Sequence, residues 1–180
     1  MTVQREPAFE LHVVDEDATS ELDVLFRRYA PYVAKIGYRL LGRDSEVDDL
    51  VQDVFLAAHR GLRSLRSRDA IKGWLATVTV RQARRRLRAR RVRIMLHLDS
   101  SPDYVEVVDE SATSEQRTLV SQVYEVLDRL PVNQRIAWSL RHIEGESLER
   151  VAELSGCSLA TAKRRIKAAL TAIHLEVSDA

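Results

Sequence analysis

The chain has 180 residues, enough for one or two small domains of about 100 residues each, and its 28 Lys and Arg nearly balance its 27 Asp and Glu. Sparse Gly and Pro, few aromatic residues and many charges among apolar residues are typical of an all-α protein. No apolar run reaches the roughly 18 residues of a membrane span, and MTVQREPAFE lacks the apolar core of a signal peptide. The composition predicts a cytoplasmic protein without membrane insertion, and a lone Cys157 excludes an internal disulfide.

The near-neutral net charge is an average over unequal segments. Residues 1–59 carry 6 Lys/Arg against 12 Asp/Glu, residues 60–93 carry 13 against 1, and residues 94–180 carry 9 against 14. An arginine-rich helix without a partner would repel itself unless acids lay nearby. The basic middle segment therefore indicates that the chain binds a polyanion.

The first 60 residues predict a tail and two helices. Residues 1–18 mix acids with isolated apolar residues, which favours a mobile tail. From Ser20, apolar residues recur at steps of three and four. Pro31 should kink or split this helix, and Gly42 should end it.

The second helix, DDLVQDVFLAAHR, has one apolar face and one acidic face. The acidic face carries Asp48, Asp49, Gln52 and Asp53. Acids in the first turn are favoured by the helix dipole. Asp53 lies beyond that turn and is repelled by Asp49 four residues earlier, so we expect a compensating group outside the helix.

Basic residues dominate the segment after Gly61. GLRSLRSRD predicts a loop, and a helix follows from about Asp69. Trp74 could stack on unpaired bases, but its place on an apolar stripe favours core packing. The helix ends in RQARRRLRARR, and guanidinium groups bind phosphates in a bidentate manner. The candidate nucleic-acid contacts here are Arg63, Arg66, Arg68, Lys72, Arg81, Arg84, Arg85 and Arg88.

Residues 94–115 carry six acids, no Lys or Arg, and Pro102. The segment lacks a sustained helical period and predicts a flexible acidic linker. The fold class expected is therefore all-α, with two small helical domains joined by this linker. The boundaries are a tail at 1–18, a first domain at 19–93, the linker at 94–115 and a second domain at 116–176.

The second domain ends in a helix-turn-helix pattern, ESLERVAELSGCSLATAKRRIKAALTAI. Ser147 is placed to cap a short helix, Gly156 to form the turn and Ser158 to cap the next helix. Small residues at the start of that helix would let it enter a major groove, unless it is an ordinary hairpin with a solvated basic face. The candidate DNA contacts from this pattern are Ser158, Thr161, Lys163, Arg164 and Lys167.

Taken in order, these motifs resemble an extracytoplasmic function sigma factor. They are LFRRYAPYVAKIGYRLLG, DDLVQDVFLAAHR, KGWL, an acidic linker and LPVNQRIAWSLRHIEGESLERVAELSGCSLATAKRRIKAAL, between about residues 20 and 175. The resemblance implies a sigma domain two that binds the polymerase β′ clamp helices and the −10 promoter element. It implies a sigma domain four that binds the −35 element and the β flap.

The resemblance also assigns partners and residues. It implies that core RNA polymerase binds Asp48, Asp49, Gln52 and Asp53, that residues 61–69 and the basic helix contact −10 DNA, and that Thr161, Lys163 and Arg165 contact −35 DNA. Arg164 is added from its outward placement alone. An anti-sigma factor is a further candidate partner, and no cofactor, metal or catalytic residue is implied.

The chain departs from the family's usual pattern at several positions. Thr79, Val80 and Arg81 stand where an alanine-arginine-asparagine run is common, and Ala160 stands where glycine is usual. The promoter sequence therefore stays open.

Two other functions compete. Asp48, Asp49 and Asp53 resemble a loose magnesium motif of a diphosphate-using enzyme, but such an enzyme needs a deep cavity and a second metal motif. A helix-turn-helix repressor acting without polymerase would explain the last third of the chain, but neither the acidic face nor the arginine-rich helix. His59, His142 and Cys157 have no partner at ligand spacing.

Overall fold

The computed structural model describes residues 16–42, 45–61, 70–96, 98 and 113–178. Regular structure within these residues is entirely helical, which confirms the all-α prediction. The predictions for residues 1–15, for most of the loop at 61–69 and for most of the acidic linker lie outside the described residues. The helices are α1 (Glu16–Leu41), α2 (Val47–Gly61), α3 (Ile71–Met95), α4 (Ser114–Arg129), α5 (Val132–His142), α6 (Leu148–Ser155) and α7 (Leu159–Ser178).

Helix α1 differs from the sequence prediction at its start and at Pro31. It begins at Glu16 rather than Ser20 and runs through Pro31 as one helix. Pro31 is exposed, whereas Leu25 and Val33 on either side of it are buried. Because packing holds both halves against the core, the loss of one backbone hydrogen bond at Pro31 does not split the helix.

Helices α1, α2 and α3 pack on one another, and Gly37 sets the approach of α1 to α2. A Cβ atom at Gly37 would lie 2.4 Å from Cδ2 of Leu50, a fully buried side chain. Only a residue without a side chain fits at this contact. The buried apolar face of α2 predicted from the sequence includes Val47, Leu50, Val51, Val54 and Ala58, all of which are buried.

Helices α4 to α7 form the second group, and local caps define their ends. Thr113 and Gln116 make a capping box at the start of α4. The Ser147 hydroxyl accepts a hydrogen bond from the Arg150 N–H at the start of α6. Gly156, with φ of 61°, ends α6 in the left-handed conformation, so the chain turns directly into α7.

The two groups of helices share one hydrophobic core. Ile136 and Leu140 of α5 and Val151 of α6 belong to the same buried cluster as Leu40 and Leu75 of the first group. The two predicted domains are therefore in contact in this structure. Burial of apolar side chains contributes to that contact, at about 25 cal/mol per Å² of area removed from water.

Substituting Gly37 by Ala should destabilise the protein. Overpacking against Leu50 costs about 1–3 kcal/mol, and the higher helix propensity of Ala offsets up to about 1 kcal/mol. Gly73→Ala is the matched control, because the nearest atom to its Cβ is the flexible end of Arg150 at 3.3 Å. Urea unfolding of both variants measures the difference. A Gly37→Ala variant as stable as Gly73→Ala would contradict the packing described.

Substituting Glu144 by Gln should change how stability depends on pH. Burial raises the pKa of Glu144 above its ordinary value of 4.5, and Arg39, whose Nη1 lies 3.3 Å from Oε1, only partly opposes this. The folded state thus binds the proton more tightly than the unfolded state. The stabilisation from Glu144 is present below pH 4.5 and is lost as pH rises through the folded pKa.

The free energy of unfolding of wild type relative to Glu144→Gln should therefore fall as pH rises above 4.5. Urea titrations between pH 4 and pH 7 measure this difference. Glu125→Gln, on the exposed side of α4, controls for the loss of one carboxylate. A wild-type curve that rises relative to Glu144→Gln over this range would show that attraction to Arg39 outweighs burial.

Candidate protein and nucleic-acid interfaces

The start of α2 presents the predicted acidic face to solvent. Asp48, Asp49 and Gln52 are exposed, and the apolar residues between them are buried. Asp48 and Asp49 lie in the first turn, where the helix dipole favours negative charge. The arrangement exposes two carboxylates and one amide, which suits contact with a basic protein surface.

Asp53 has a compensating partner within the chain. Arg86 of α3 donates a hydrogen bond from Nη2 to Asp53 Oδ2. The expected group outside α2 is therefore an arginine of α3, and about half of the Asp53 side chain stays exposed. Asp53 contributes to the packing of α2 on α3 and has an open side for a further contact.

Leu56 extends the acidic face and was missed in the sequence analysis. It is 55% exposed and follows Gln52 by four residues and Asp53 by three, so it lies on the same side of α2. The sequence signal for Leu56 was a large apolar residue at a position that does not fit the helical spacing of the buried residues of α2. An exposed leucine beside carboxylates is typical of a protein interface that combines apolar and charged contacts.

The arginines of α3 divide into exposed and structural residues. Arg81, Arg85 and Arg88 are exposed, as is Lys72, whose Nζ lies 4.9 Å from the centre of the Tyr32 ring. Arg84 is half-buried. These five residues keep cations at or near the surface of α3, while Arg63, Arg66 and Arg68 lie outside the described residues.

Arg90 has a structural role that the sequence did not reveal. Its side chain is 1% exposed and donates to Glu46 from Nε at 3.1 Å and from Nη2 at 2.9 Å. It also donates to the Leu41 carbonyl at 3.0 Å. Together with Arg86, it shows that not every arginine of the run RQARRRLRARR faces solvent. Only tertiary contacts separate these residues from the exposed arginines.

Trp74 is half-buried and packs against the first group of helices. A Cβ atom at Gly61 would lie 2.7 Å from its ring, so the indole covers the end of α2. This position agrees with the core-packing interpretation.

Helix α7 presents a basic outer surface. Lys163, Arg164 and Lys167 are exposed, and Arg165 and Thr161 are half-buried. The Ser158 hydroxyl accepts from the Thr161 N–H at 3.3 Å, so Ser158 caps the helix as predicted. Leu159 lies on the apolar period of α7 but is 37% exposed, whereas Ala162, three residues later, is fully buried.

Metal-ligating residues are dispersed in the residues described. No group of three or more His, Cys, Asp or Glu side chains gathers at one point there. His142 stacks on Trp138, with ring centres 5.1 Å apart. Each helix within the described ranges is too short or too polar to cross a membrane.

Two family models match the chain, one for each group of helices. Sigma-70 region 2 matches residues 25–93, which include the acidic face and the basic helix α3. Sigma-70 region 4 matches residues 121–173, which include the helix-turn-helix.

Two relatives named as ECF RNA polymerase sigma factors match most of the chain. ECF RNA polymerase sigma factor SigM of Mycobacterium tuberculosis is 35% identical over 144 residues, which cover 79% of this chain and 70% of the relative. The ECF RNA polymerase sigma-E factor of Haemophilus influenzae is 28% identical over 162 residues, with 85% of each chain covered.

A solved structure shares the fold. The sigma factor RpoE of Bartonella quintana, determined in complex with the anti-sigma factor NepR, aligns with a TM-score of 0.62 at 21% identity. The alignment covers 91% of this chain and 98% of that one. The matched regions and the identity to SigM establish that this chain belongs to the extracytoplasmic function family of RNA polymerase sigma factors.

Proposed function

We propose that this chain binds core RNA polymerase through the acidic face of α2 and recognises the two promoter elements through α3 and α7. As a member of its family it is an RNA polymerase sigma factor that acts in transcription initiation. It directs the polymerase to a promoter and catalyses no reaction of its own. Its partners are core polymerase and promoter DNA, and it acts in the cytoplasm.

The observation that carries the proposal is the separation of charge on the exposed surface. Asp48 and Asp49 form one negative face, whereas Arg81, Arg85 and Arg88 belong to a different helix. DNA repels a negative face, because DNA carries one negative charge for about every 1.7 Å of axis. The acidic face therefore suits a protein, and the basic helices suit nucleic acid.

The face for polymerase consists of Asp48, Asp49, Gln52, Leu56 and the open side of Asp53. Exposed carboxylates steer association with a basic partner and fix its orientation. Leu56 would add apolar area at the centre of the contact. The β′ clamp helices are the partner that the family resemblance implies for this face.

The two DNA surfaces differ in chemistry. Arginines on α3 would follow the phosphates of an opened −10 element, since they can form bidentate contacts. At the start of α7, Thr161 and the small Ala160 allow close approach to base edges in the −35 element. Lys163, Arg164 and Lys167 would contact the phosphates beside the −35 bases. Arg165 is half-buried and would contact a phosphate only after its side chain became exposed.

A repressor acting without polymerase explains less of the chain. It needs the helix-turn-helix but gives no role to the exposed carboxylates of α2 or to the arginines of α3. It should also bind duplex DNA tightly by itself. A sigma factor whose two domains each read few bases should instead bind strongly only when polymerase fixes both domains on one promoter. An anti-sigma factor remains a candidate regulator of the same surfaces.

Replacing Asp49 by Ala should weaken binding to core polymerase. Loss of one charge in a buried interfacial contact costs about 2 kcal/mol or more, which raises Kd by about 30-fold. Asp23→Ala, an exposed acid of the same domain, is the matched control. Titration of each labelled variant with sigma-free polymerase measures its Kd. Equal affinities for the two variants would remove α2 from the polymerase interface.

Replacing Lys163 and Arg164 together by Gln should spare polymerase binding and weaken promoter binding. Two lost phosphate contacts lower the slope of log K against log salt by about 2. Arg129→Gln, whose side chain pairs with Glu176 near the far end of α7, is the control. Run-off transcription on genomic fragments, followed by salt titrations on a recovered promoter, provides the measurement. An unchanged slope would exclude these two residues from the DNA contact.

A further inference from the structure

The later part of α1 combines cations with aromatic side chains and lies outside the surfaces described above. Residues 24–42 contain four Lys or Arg, four Phe or Tyr, and no Asp or Glu. Cations interleaved with aromatic rings are typical of surfaces that bind single-stranded nucleic acid, because the cations hold phosphates and the rings stack on bases. Neither the acidic face of α2 nor the DNA surfaces of α3 and α7 includes any residue of this stretch.

Three residues of the stretch lie on one side of α1. Arg28, Tyr32 and Lys35 follow one another at steps of four and three residues, so their side chains are neighbours on the helix. Arg28 and Lys35 are exposed, and Tyr32 is half-buried against the core. The helix advances about 10 Å from Arg28 to Lys35. This distance matches about three phosphates along one strand, at about 3.4 Å each.

Lys72 connects this side of α1 to the surface proposed for the −10 element. Its Nζ lies 4.9 Å from the centre of the Tyr32 ring, within the range of a cation–π contact. Lys72 is also exposed at the start of α3 and is one of the candidate −10 contacts. The basic surface of α3 therefore continues onto α1. Arg28, Tyr32, Lys35 and Lys72 are here called the basic-aromatic face.

Carboxylates of the chain itself lie near the basic-aromatic face. Burial raises the pKa of Tyr32, and the nearby carboxylate of Glu146 raises it further. Burial also raises the pKa of Glu144, while the cations Arg39 and Lys35 oppose that rise. Both carboxylates come from the connection between α5 and α6. The face thus already has anionic neighbours, so its charge is complementary to a phosphate chain.

The tyrosine ring favours a single strand over duplex DNA as the occupant. In a duplex the bases are stacked on one another, so only phosphates would meet the face. An unpaired base can stack on Tyr32 while its flanking phosphates lie near Arg28 and Lys35. Continuity with Lys72 favours nucleic acid over an acidic protein, because the DNA opened at the −10 element would already lie beside this lysine.

We propose that the basic-aromatic face binds the single strand of DNA that continues from the opened −10 element, with Arg28 and Lys35 on phosphates and Tyr32 against a base. The position beside the −10 element rests on the proposed function of α3, whereas binding of a single strand does not. Lys72 would move from the Tyr32 ring to a phosphate and leave the ring to the base. The contact tolerates any sequence, since every base has a π face.

The test measures how tightly the full-length chain binds single-stranded DNA. The probe is a fluorescein-labelled oligothymidine of about 15 nucleotides, within the range of known single-strand site sizes. Fluorescence anisotropy gives its Kd at several salt concentrations. A double variant, Arg28→Gln with Lys35→Gln, should bind more weakly. It should also lower the slope of log K against log salt by about 1.4, because each phosphate contact on a single strand contributes about 0.7.

Two substitutions of Tyr32 separate stacking from charge. Tyr32→Ala should raise the Kd for the single strand about fivefold or more, whereas Tyr32→Phe keeps the ring and should bind like wild type. Neither should change binding of the corresponding duplex with oligoadenosine. Arg129→Gln removes an exposed arginine paired with Glu176 and is the control for charge. Urea unfolding checks the fold of each variant.

The exposed positions Arg28 and Lys35 keep the inference testable even if Tyr32→Ala is unstable. Unchanged affinity and salt slope in their double variant overturn it. So does an equal loss of duplex and single-strand binding in a folded Tyr32→Ala variant. A polyglutamate peptide that displaces the probe as well as unlabelled oligothymidine does would assign the face to an acidic protein instead.

Run-off transcription separates this inference from the proposed function. If the double variant loses single-strand binding but wild type never initiates with core polymerase, the basic-aromatic face stands and the proposed function fails. If wild type initiates and the double variant binds the probe as tightly as wild type, the proposed function stands and this inference fails.

Discussion

The arginines at the C-terminal end of α1 determine much of the structure. Arg90 and Arg135 approach this end from α3 and α5, and both donate to the Leu41 carbonyl. Glu46 and Asp128 neutralise them. Buried guanidinium groups are stable only where anions and carbonyls satisfy them. The contact therefore fixes four helices, α1, α3, α4 and α5, and the start of α2 relative to one another.

This cluster links the two groups of helices. Arg90 holds the first group of helices together through Glu46, while Arg135 depends on contact between the groups. The same set of charges thus joins helices within the first group and joins the first group to the second. A residue that serves both roles, Asp128, lies between them.

The separation of the acidic face of α2 from the basic surfaces of α3 and α7 also depends on how charges are neutralised within the chain. The first acids of α2 are compatible with its helix dipole, and Asp53 is neutralised by Arg86. The acidic face of α2 can therefore lie next to the strongly basic helix α3 and still keep carboxylates exposed to solvent. Among the described residues, no carboxylate pairs with the exposed cations named on α3 and α7. These cations are therefore available to bind a polyanion.

The sequence alone located most of the helices, the caps of the helix-turn-helix and the family. Apolar periodicity located α2 to α7, Gly156 and Ser158 marked the turn and the cap, and the order of motifs identified the sigma regions. These signals are local, because capping and periodicity depend on residues within a few positions of each other.

Tertiary structure decided which charges are free. Arg86 and Arg90 look like Arg85 and Arg88 in the sequence, yet their partners Asp53 and Glu46 come from another part of the chain. The same holds for Arg135, whose buried carbonyl partners lie about 95 residues away. A local pattern cannot show whether an arginine faces solvent or a distant carboxylate, because that depends on how the helices pack.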